Sequence, residues 1–245
     1  ASNSERSLHL FLYRQKYFFL STESITMHET LASIKNYLQT HGATLVAISK
    51  TKPAEEILKV YEQGQRIFGE NKVQELTDKY VELPKDIQWH LVGHLQSNKV
   101  KYITPFVSLI HSVDSFKLLQ EINRQSAKIN RVIDVLLQIY IAKEETKFGL
   151  SFDEARELLQ EPKLNSLHHI CIRGMMGMST FTDDQIQIRN EFRSLKSFFD
   201  EVQPLRSASF QPDILSMGMS GDYKIAVEEG SNMVRIGSAI FGERK

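Results

Sequence analysis

Thr44-Leu-Val-Ala-Ile-Ser-Lys50-Thr-Lys-Pro53 is a short apolar run closed by a lysine, with a proline just beyond it. A run of this length and composition reads as a buried strand, and Pro53 suits the first turn of a following helix. The junction sets an amine, Lys50, at the mouth of a sheet, where ligands meet α/β proteins. Only an unprotonated lysine attacks a carbonyl, and partial burial beside a second cation lowers its pKa. Lysine is also the commonest surface residue at strand ends, so for this segment alone an ordinary surface turn is the plainer account.

Working outward, strand-like runs alternate with amphipathic ones. The strand candidates are Thr44–Ser49, Arg66–Gly69, Gln88–Val92, Ser108–His111, Val132–Ile141, His169–Arg173, Asp213–Ser216 and Asn232–Ile236. Among the helical stretches, Asp114–Lys128 puts Phe116, Leu118, Leu119 and Ile122 on one stripe. Ser151-Phe-Asp-Glu154 is a capping box opening Ala155–Gln160, and Asp183–Val202 carries Ile186, Phe192, Leu195 and Phe199 at helical spacing. Eight β units alternating with helices predict an α/β fold, a single (β/α)8 TIM barrel, preceded by an extra N-terminal helix over His28–Thr40. A doubly wound open sheet is the alternative. No Gly-x-Gly-x-x-Gly follows the first strand, which disfavours its dinucleotide-binding version.

Bulk properties narrow the function classes. The chain has 245 residues, 41% of them hydrophobic, enough to bury one substantial core. Thirty basic residues balance thirty acidic ones, so no global field favours nucleic acid or an anionic membrane. The single cysteine, Cys171, lies in an apolar stretch and reads as a packed small hydrophobe, which suits a reducing, cytoplasmic setting. Residues 1–26 look foreign to the rest. Neither of their apolar runs approaches the ~20 residues of a membrane span. Charges at Glu5, Arg14, Lys16 and Glu23 interrupt any signal-peptide core. They read as an extension upstream of a natural start at Met27, non-native or disordered, with 27–245 forming the barrel. An organelle-targeting peptide is the alternative, which the two glutamates disfavour.

In a (β/α)8 barrel the C-terminal strand ends converge on one site. Here those ends carry Lys50, Glu70-Asn71-Lys72, Gly93 to Asn98, Lys147, Gly174-Met-Met-Gly177, Ser216 to Ser220, and Arg235-Ile-Gly237-Ser238. Two of them resemble phosphate cradles. In Ser216-Met-Gly-Met-Ser-Gly-Asp222, Ser220 can cap a helix, and Gly218 and Gly221 permit close backbone approach to an oxyanion. Val234-Arg-Ile-Gly-Ser238 ends the last strand in glycine and serine, and phosphate sites after strands seven and eight recur in such barrels. A lysine on strand one with phosphate loops on the last two suggests a carbonyl-bearing phosphate, either a sugar phosphate or pyridoxal 5′-phosphate (PLP).

Several longer motifs decide between these. Val46-Ala-Ile-Ser-Lys-Thr-Lys-Pro53, Phe68-Gly-Glu-Asn71 with Gln74-Glu75, and Trp89-His-Leu-Val-Gly-His-Leu-Gln-Ser-Asn-Lys99 are three of them. Arg173-Gly-Met-Met176, Leu215-Ser-Met-Gly-Met-Ser-Gly-Asp222 and Gly230-Ser-Asn-Met-Val-Arg-Ile-Gly-Ser-Ala-Ile-Phe-Gly242 complete the set. In order from about Met27 to the C-terminus, they resemble the pyridoxal phosphate homeostasis protein family, whose barrel is that of the alanine racemase N-terminal domain (fold type III among PLP proteins). The resemblance implies PLP held as a Schiff base on Lys50. Arg235 would face the pyridine nitrogen. Ser216, Ser220, Gly237 and Ser238 would hold the phosphate, and Asn71, His90 and Met175 would line the ring, with barrel-core packing the plainer account of His90 and Met175. Lys52 and Lys147 match lysines near the family's pocket, as secondary aldehyde acceptors or an exit relay. Leu91 and His94 depart from the family pattern and bear on the fine shape of the pocket.

The same resemblance implies a protein that buffers, carries or delivers PLP, with PLP-dependent apoenzymes as recipients, no nucleic-acid or membrane partner, and a monomeric state. Racemisation needs acid–base groups on both faces of the cofactor. Alanine racemase draws its second base, a tyrosine, from a further domain that no segment after the last strand here matches. An arginine opposite the ring nitrogen also weakens PLP as an electron sink. No strong turnover and no catalytic residue are therefore expected. A slow PLP-dependent amino-acid racemase using Tyr223 or Tyr102 is the first alternative. A cofactor-free Schiff-base aldolase and a partner-binding scaffold are the others.

Overall fold

The computed structural model describes residues 31–142 and 148–242. Eight strands are present: β1 (Thr44–Ile48), β2 (Ile67–Glu70), β3 (Gln88–Leu91), β4 (Leu109–Val113), β5 (Ile133–Ile139), β6 (Ile170–Gly177), β7 (Phe210–Ser216) and β8 (Met233–Ile236). Each pairs in parallel with the next, and β8 returns to β1 through Thr44↔Met233 to Ala47↔Ile236. The sheet is a closed barrel, so the open doubly wound alternative is excluded. Helices α1 (31–40), α2 (Ala54–Glu62), α3 (Val73–Glu82), α4 (Val100–Ile103), α5 (Phe116–Ala127), α6 (Phe152–Gln160), α7 (Gln185–Glu201), α8 (Tyr223–Glu228) and α9 (Ser238–Phe241) surround it.

Both faces of a barrel strand are covered, so its residues are apolar on both sides. In β1, Leu45 and Ala47 pack against the helices, while Val46 and Ile48 turn into the barrel with Leu109, Leu136, Met176 and Met233. Phe68, Trp89, Phe192 and Phe210 are fully buried in the helix-facing layer, each contributing about 2 kcal/mol of burial. The expected N-terminal helix is present as α1, whose Leu31, Ile34 and Leu38 enter that same layer.

Helix starts follow local chemistry. Ser151 and Glu154 form the predicted capping box on α6, Ser115 accepts from Leu118 N–H at the start of α5, and Asp184 caps α7. Four strands run past their predicted bounds: β2 by Glu70, β4 by Ser112 and Val113, β7 from Phe210 onward, and β6 through Gly174 to Gly177, although that tetrapeptide reads in the sequence as a strand end. β6 also carries a bulge. Opposite β5, Ile172 pairs with Val135 but Gly174 pairs with Leu136, leaving Arg173 as an extra residue. Gly174 has φ +140°, and a Cβ there would stand 1.9 Å from the Ile214 carbonyl oxygen. Only glycine fits.

Candidate functional site

The C-terminal strand ends and the loops after them enclose a cavity of about 800 Å³, the size of a small-molecule site. Lys50, Asn71, Ser220, Arg235, Gly237 and Ser238 all line it. These six of the nine sequence-derived site residues come from four βα units, and barrel closure brings them together. Lys50 follows β1 at a turn closed by Lys52 N–H donating to the Ser49 carbonyl (3.0 Å), and is partly buried. Asn71 follows β2. Gly93, after β3, lies so close to it that a Cβ would meet the Asn71 carbonyl oxygen at 2.3 Å.

Opposite Lys50 in chain order stand the two loops read as phosphate cradles. Ser220 Oγ accepts from Gly237 N–H (3.3 Å) and Ala239 N–H (3.4 Å), so the loop after β7 meets the backbone amides after β8 around one oxygen. Gly218 (φ +91°) allows that loop to turn against Tyr223. A Cβ at Gly221, which lines the cavity, would meet no atom within 4 Å, so glycine leaves the backbone bare there. Asp222 braces the loop by accepting from Met219 N–H (2.6 Å) and from the Ser179 hydroxyl (2.7 Å). Its place in the Ser216–Asp222 motif is the only sequence signal of that role.

Below the cavity lies a polar chain inside the barrel. Arg235 donates through Nη1 to the Ser216 carbonyl (2.8 Å) and Oγ (2.6 Å), and through Nη2 to the Gly177 carbonyl (3.0 Å). Ser216 Oγ contacts His111 Nδ1 at 3.2 Å, and His111 Nε2 contacts His90 Nδ1 at 3.0 Å. A guanidinium only donates. Each neutral imidazole offers one donor and one acceptor nitrogen, so a single tautomer choice at His111 sets the direction of both contacts. Burial, with Asp222 pulling the other way, lowers Arg235 to about 10, so it remains a cation at neutral pH. Burial drives His90 down to about 3, and His111 moves the same way, by burial first and then the charge of its neighbours. His111 closes a predicted strand, but nothing in the sequence marked it as a partner of Arg235.

Three expected residues are therefore placed elsewhere. His90 and Ser216 sit beneath the cavity in this chain rather than in its wall. Met175 faces the helices with Ile172, while Met176 enters the barrel and Met178 lines the cavity. Strict alternation from Ile172 would turn Met175 inward; the extra residue at the bulge reverses the phase. Leu91 likewise packs against the helices, whereas His94 lines the cavity, 3.6 Å from Asp114 and stacked on Phe148. Lys52 lines the wall with its amine donating to the Phe241 carbonyl (2.8 Å). Lys147 lies outside the described residues. Tyr223 packs edge-on against Tyr37, and Tyr102 is half exposed on α4; neither lines the cavity. Among the described residues no His, Cys, Asp and Glu cluster suits a metal, and no helix is long and apolar enough to cross a membrane.

Fold and site define a (β/α)8 barrel with a lysine at the end of β1 and two Gly/Ser loops after the last two strands lining one cavity. The alanine racemase N-terminal domain family matches residues 25–245. The pyridoxal phosphate homeostasis protein of Aquifex aeolicus (strain VF5) is 41% identical over 204 residues, 83% of this chain and 88% of that one. Its counterpart in Pasteurella multocida (strain Pm70) is 36% identical, over 90% of this chain and 98% of its own. The structure of PipY from Synechococcus elongatus PCC7942 with PLP bound has a TM-score of 0.79 at 35% identity, covering 88% of this chain and 100% of PipY. The chain belongs to the pyridoxal phosphate homeostasis protein family, built on the alanine racemase N-terminal domain.

Proposed function

We propose that this protein binds PLP in the cavity at the C-terminal end of the barrel, attached through Lys50, and acts in the cytoplasm as a monomeric buffer or carrier in PLP homeostasis. One observation carries the reading. A single cavity joins the Lys50 amine, the bare backbone and hydroxyl of the Ser220–Gly221 loop, and a buried cation at Arg235. Those are the groups that an aldehyde, a phosphate and a basic ring nitrogen require. When bound, PLP supplies an aldehyde that condenses with a neutral lysine amine and releases one water.

The chain's own residues divide the rest. Ser220, Gly237 and Ser238 would hold the phosphate end, and Asn71 would border the ring. Arg235, immobilised by Ser216 and Gly177 and still charged at neutral pH, would donate to the ring nitrogen and keep a proton off it. A ring nitrogen without its proton draws electrons weakly, and neither Tyr223 nor Tyr102 stands in the cavity to move a proton on the substrate side. Storage and delivery to PLP-dependent apoenzymes fit this arrangement better than racemisation does.

The test is an absorption spectrum of the purified protein, followed by borohydride reduction and peptide mass spectrometry. A visible band and a pyridoxyl label on Lys50, both abolished in Lys50→Ala, are expected. No label, or a label that persists in Lys50→Ala, overturns the reading. Loss of optical activity from an L-amino acid that depends on Lys50 would instead establish the racemase.

A further inference from the structure

The turn that presents Lys50 is held largely by other elements. β1 ends at Ile48; Ser49 is fully buried, and Thr51 takes φ +66°. A β-branched residue in the left-handed region persists only where its surroundings over-determine it. Here β2 and α3 do so. Lys79, on α3, donates from Nζ to the Ser49 carbonyl (2.8 Å), to Glu70 Oε1 (2.7 Å) and to Glu75 Oε1 (2.7 Å). All three of its hydrogens are thereby engaged. Ser49 Oγ donates to the same Glu70 oxygen (2.6 Å), and Thr51 N–H donates to the same Glu75 oxygen (2.6 Å). Two circuits meet at one ammonium: one returns through Glu70 to the residue before Lys50, the other through Glu75 to the residue after it.

Lys79, Glu70 and Glu75 do not line the cavity. As a source of stability the cluster is poor. A buried ion pair loses in desolvation much of what attraction returns, and burial raises the Glu70 carboxyl although Lys79 and Ser49 pull it down. What the bonds have in common is that they converge on the turn carrying Lys50.

We infer that Lys79 and Glu75 are positioning residues for Lys50: they hold the Ser49–Lys52 turn in its left-handed form and so keep the Lys50 amine at the cavity. The inference rests on Lys50 as the attachment point for PLP, and it acts through the backbone without contact with the cofactor. Glu75 is the member to perturb, because its side chain is 24% exposed and its removal leaves no buried carboxylate unpaired. Glu75→Leu removes the acceptor for Thr51 N–H, Glu75→Ala does so without added bulk, and Glu75→Gln keeps an oxygen that can accept from both Thr51 and Lys79.

The full-length protein is titrated with PLP, reduced with borohydride and digested, and the label on Lys50 and on every other lysine is quantified. Melting of the PLP-free protein is measured in parallel, and labelling is done where all variants are folded. Glu75→Leu and Glu75→Ala should each require about tenfold more PLP for half-labelling of Lys50, about 1.4 kcal/mol, and should spread label to other lysines. Glu75→Gln should restore most of the wild-type affinity and selectivity. Wild-type labelling in either Glu75→Leu or Glu75→Ala overturns the inference, as does a Glu75→Gln variant as impaired as Glu75→Leu. Wild-type protein that takes no label on Lys50 would instead sink the functional reading beneath it.

Discussion

Acid should destabilise this barrel from inside. His90 and His111 are buried at the centre of the strand bundle, and both are neutral there. Burial places His90 at about 3 in the folded protein against 6.5 for a free side chain, and His111 shifts in the same direction. Below pH 6.5 the unfolded chain takes up protons at these positions while the folded chain does not. Folding stability therefore falls as pH drops from 6.5, and the loss from His90 ends only where the folded imidazole itself protonates, near 3. One pH unit in that window is worth about 1.4 kcal/mol per histidine. At pH 5, His90 alone then removes about 2 kcal/mol, a large share of a total of about 5–15 kcal/mol. The assay is urea unfolding of the PLP-free protein at neutral pH and at pH 5, for the wild type and for His90→Gln. The glutamine amide can either accept from or donate to His111 Nε2, so the chain to Arg235 survives while one titration is removed. The variant should retain about 2 kcal/mol more of its neutral-pH stability at pH 5 than the wild type does, or melt about 4–8 °C less depressed for a domain of this size. Identical pH slopes in the two proteins would refute the neutral, buried assignment of His90.

Two further outcomes follow from local geometry. Ser151→Ala breaks the capping box on α6 and should cost about 1 kcal/mol, read as a lower urea midpoint with unchanged slope; no change would mean that the cap is not formed in solution. Gly174→Ala forces a Cβ toward the Ile214 carbonyl at a φ of +140°, and should cost more than about 4 kcal/mol or abolish soluble expression; a variant melting within a few degrees of wild type would show that the bulge is not where the structure puts it.

Much of the site was readable residue by residue because its chemistry is local. A lysine closing an apolar run, and two Gly/Ser loops following the last two strands, carry their meaning within ten residues, and six of the nine expected residues do line the cavity. The three that do not have two causes. Whether a strand residue faces ligand, barrel interior or helices depends on its phase and its depth along the barrel axis. Met175 lost its place through the extra residue at Arg173, and its side chain reveals nothing of that. His90 and Ser216 are buried and do not line the cavity; Ser216 accepts from Arg235 directly, and His90 reaches it through His111 and Ser216.

The linear pattern alone determined eight alternating β/α units, the amine at the end of the first and the Gly/Ser loops at the end of the last two, because periodicity, capping and turn chemistry act over a few neighbouring residues. Only the closed barrel decided that Lys50 and Ser220 share one cavity, that two neutral histidines lie beneath it, and that Lys79 and Glu75 hold the Lys50 turn from a neighbouring helix. Those relations join residues of different βα units, and their distances are set by strand register and barrel closure, which pack every unit against the others at once.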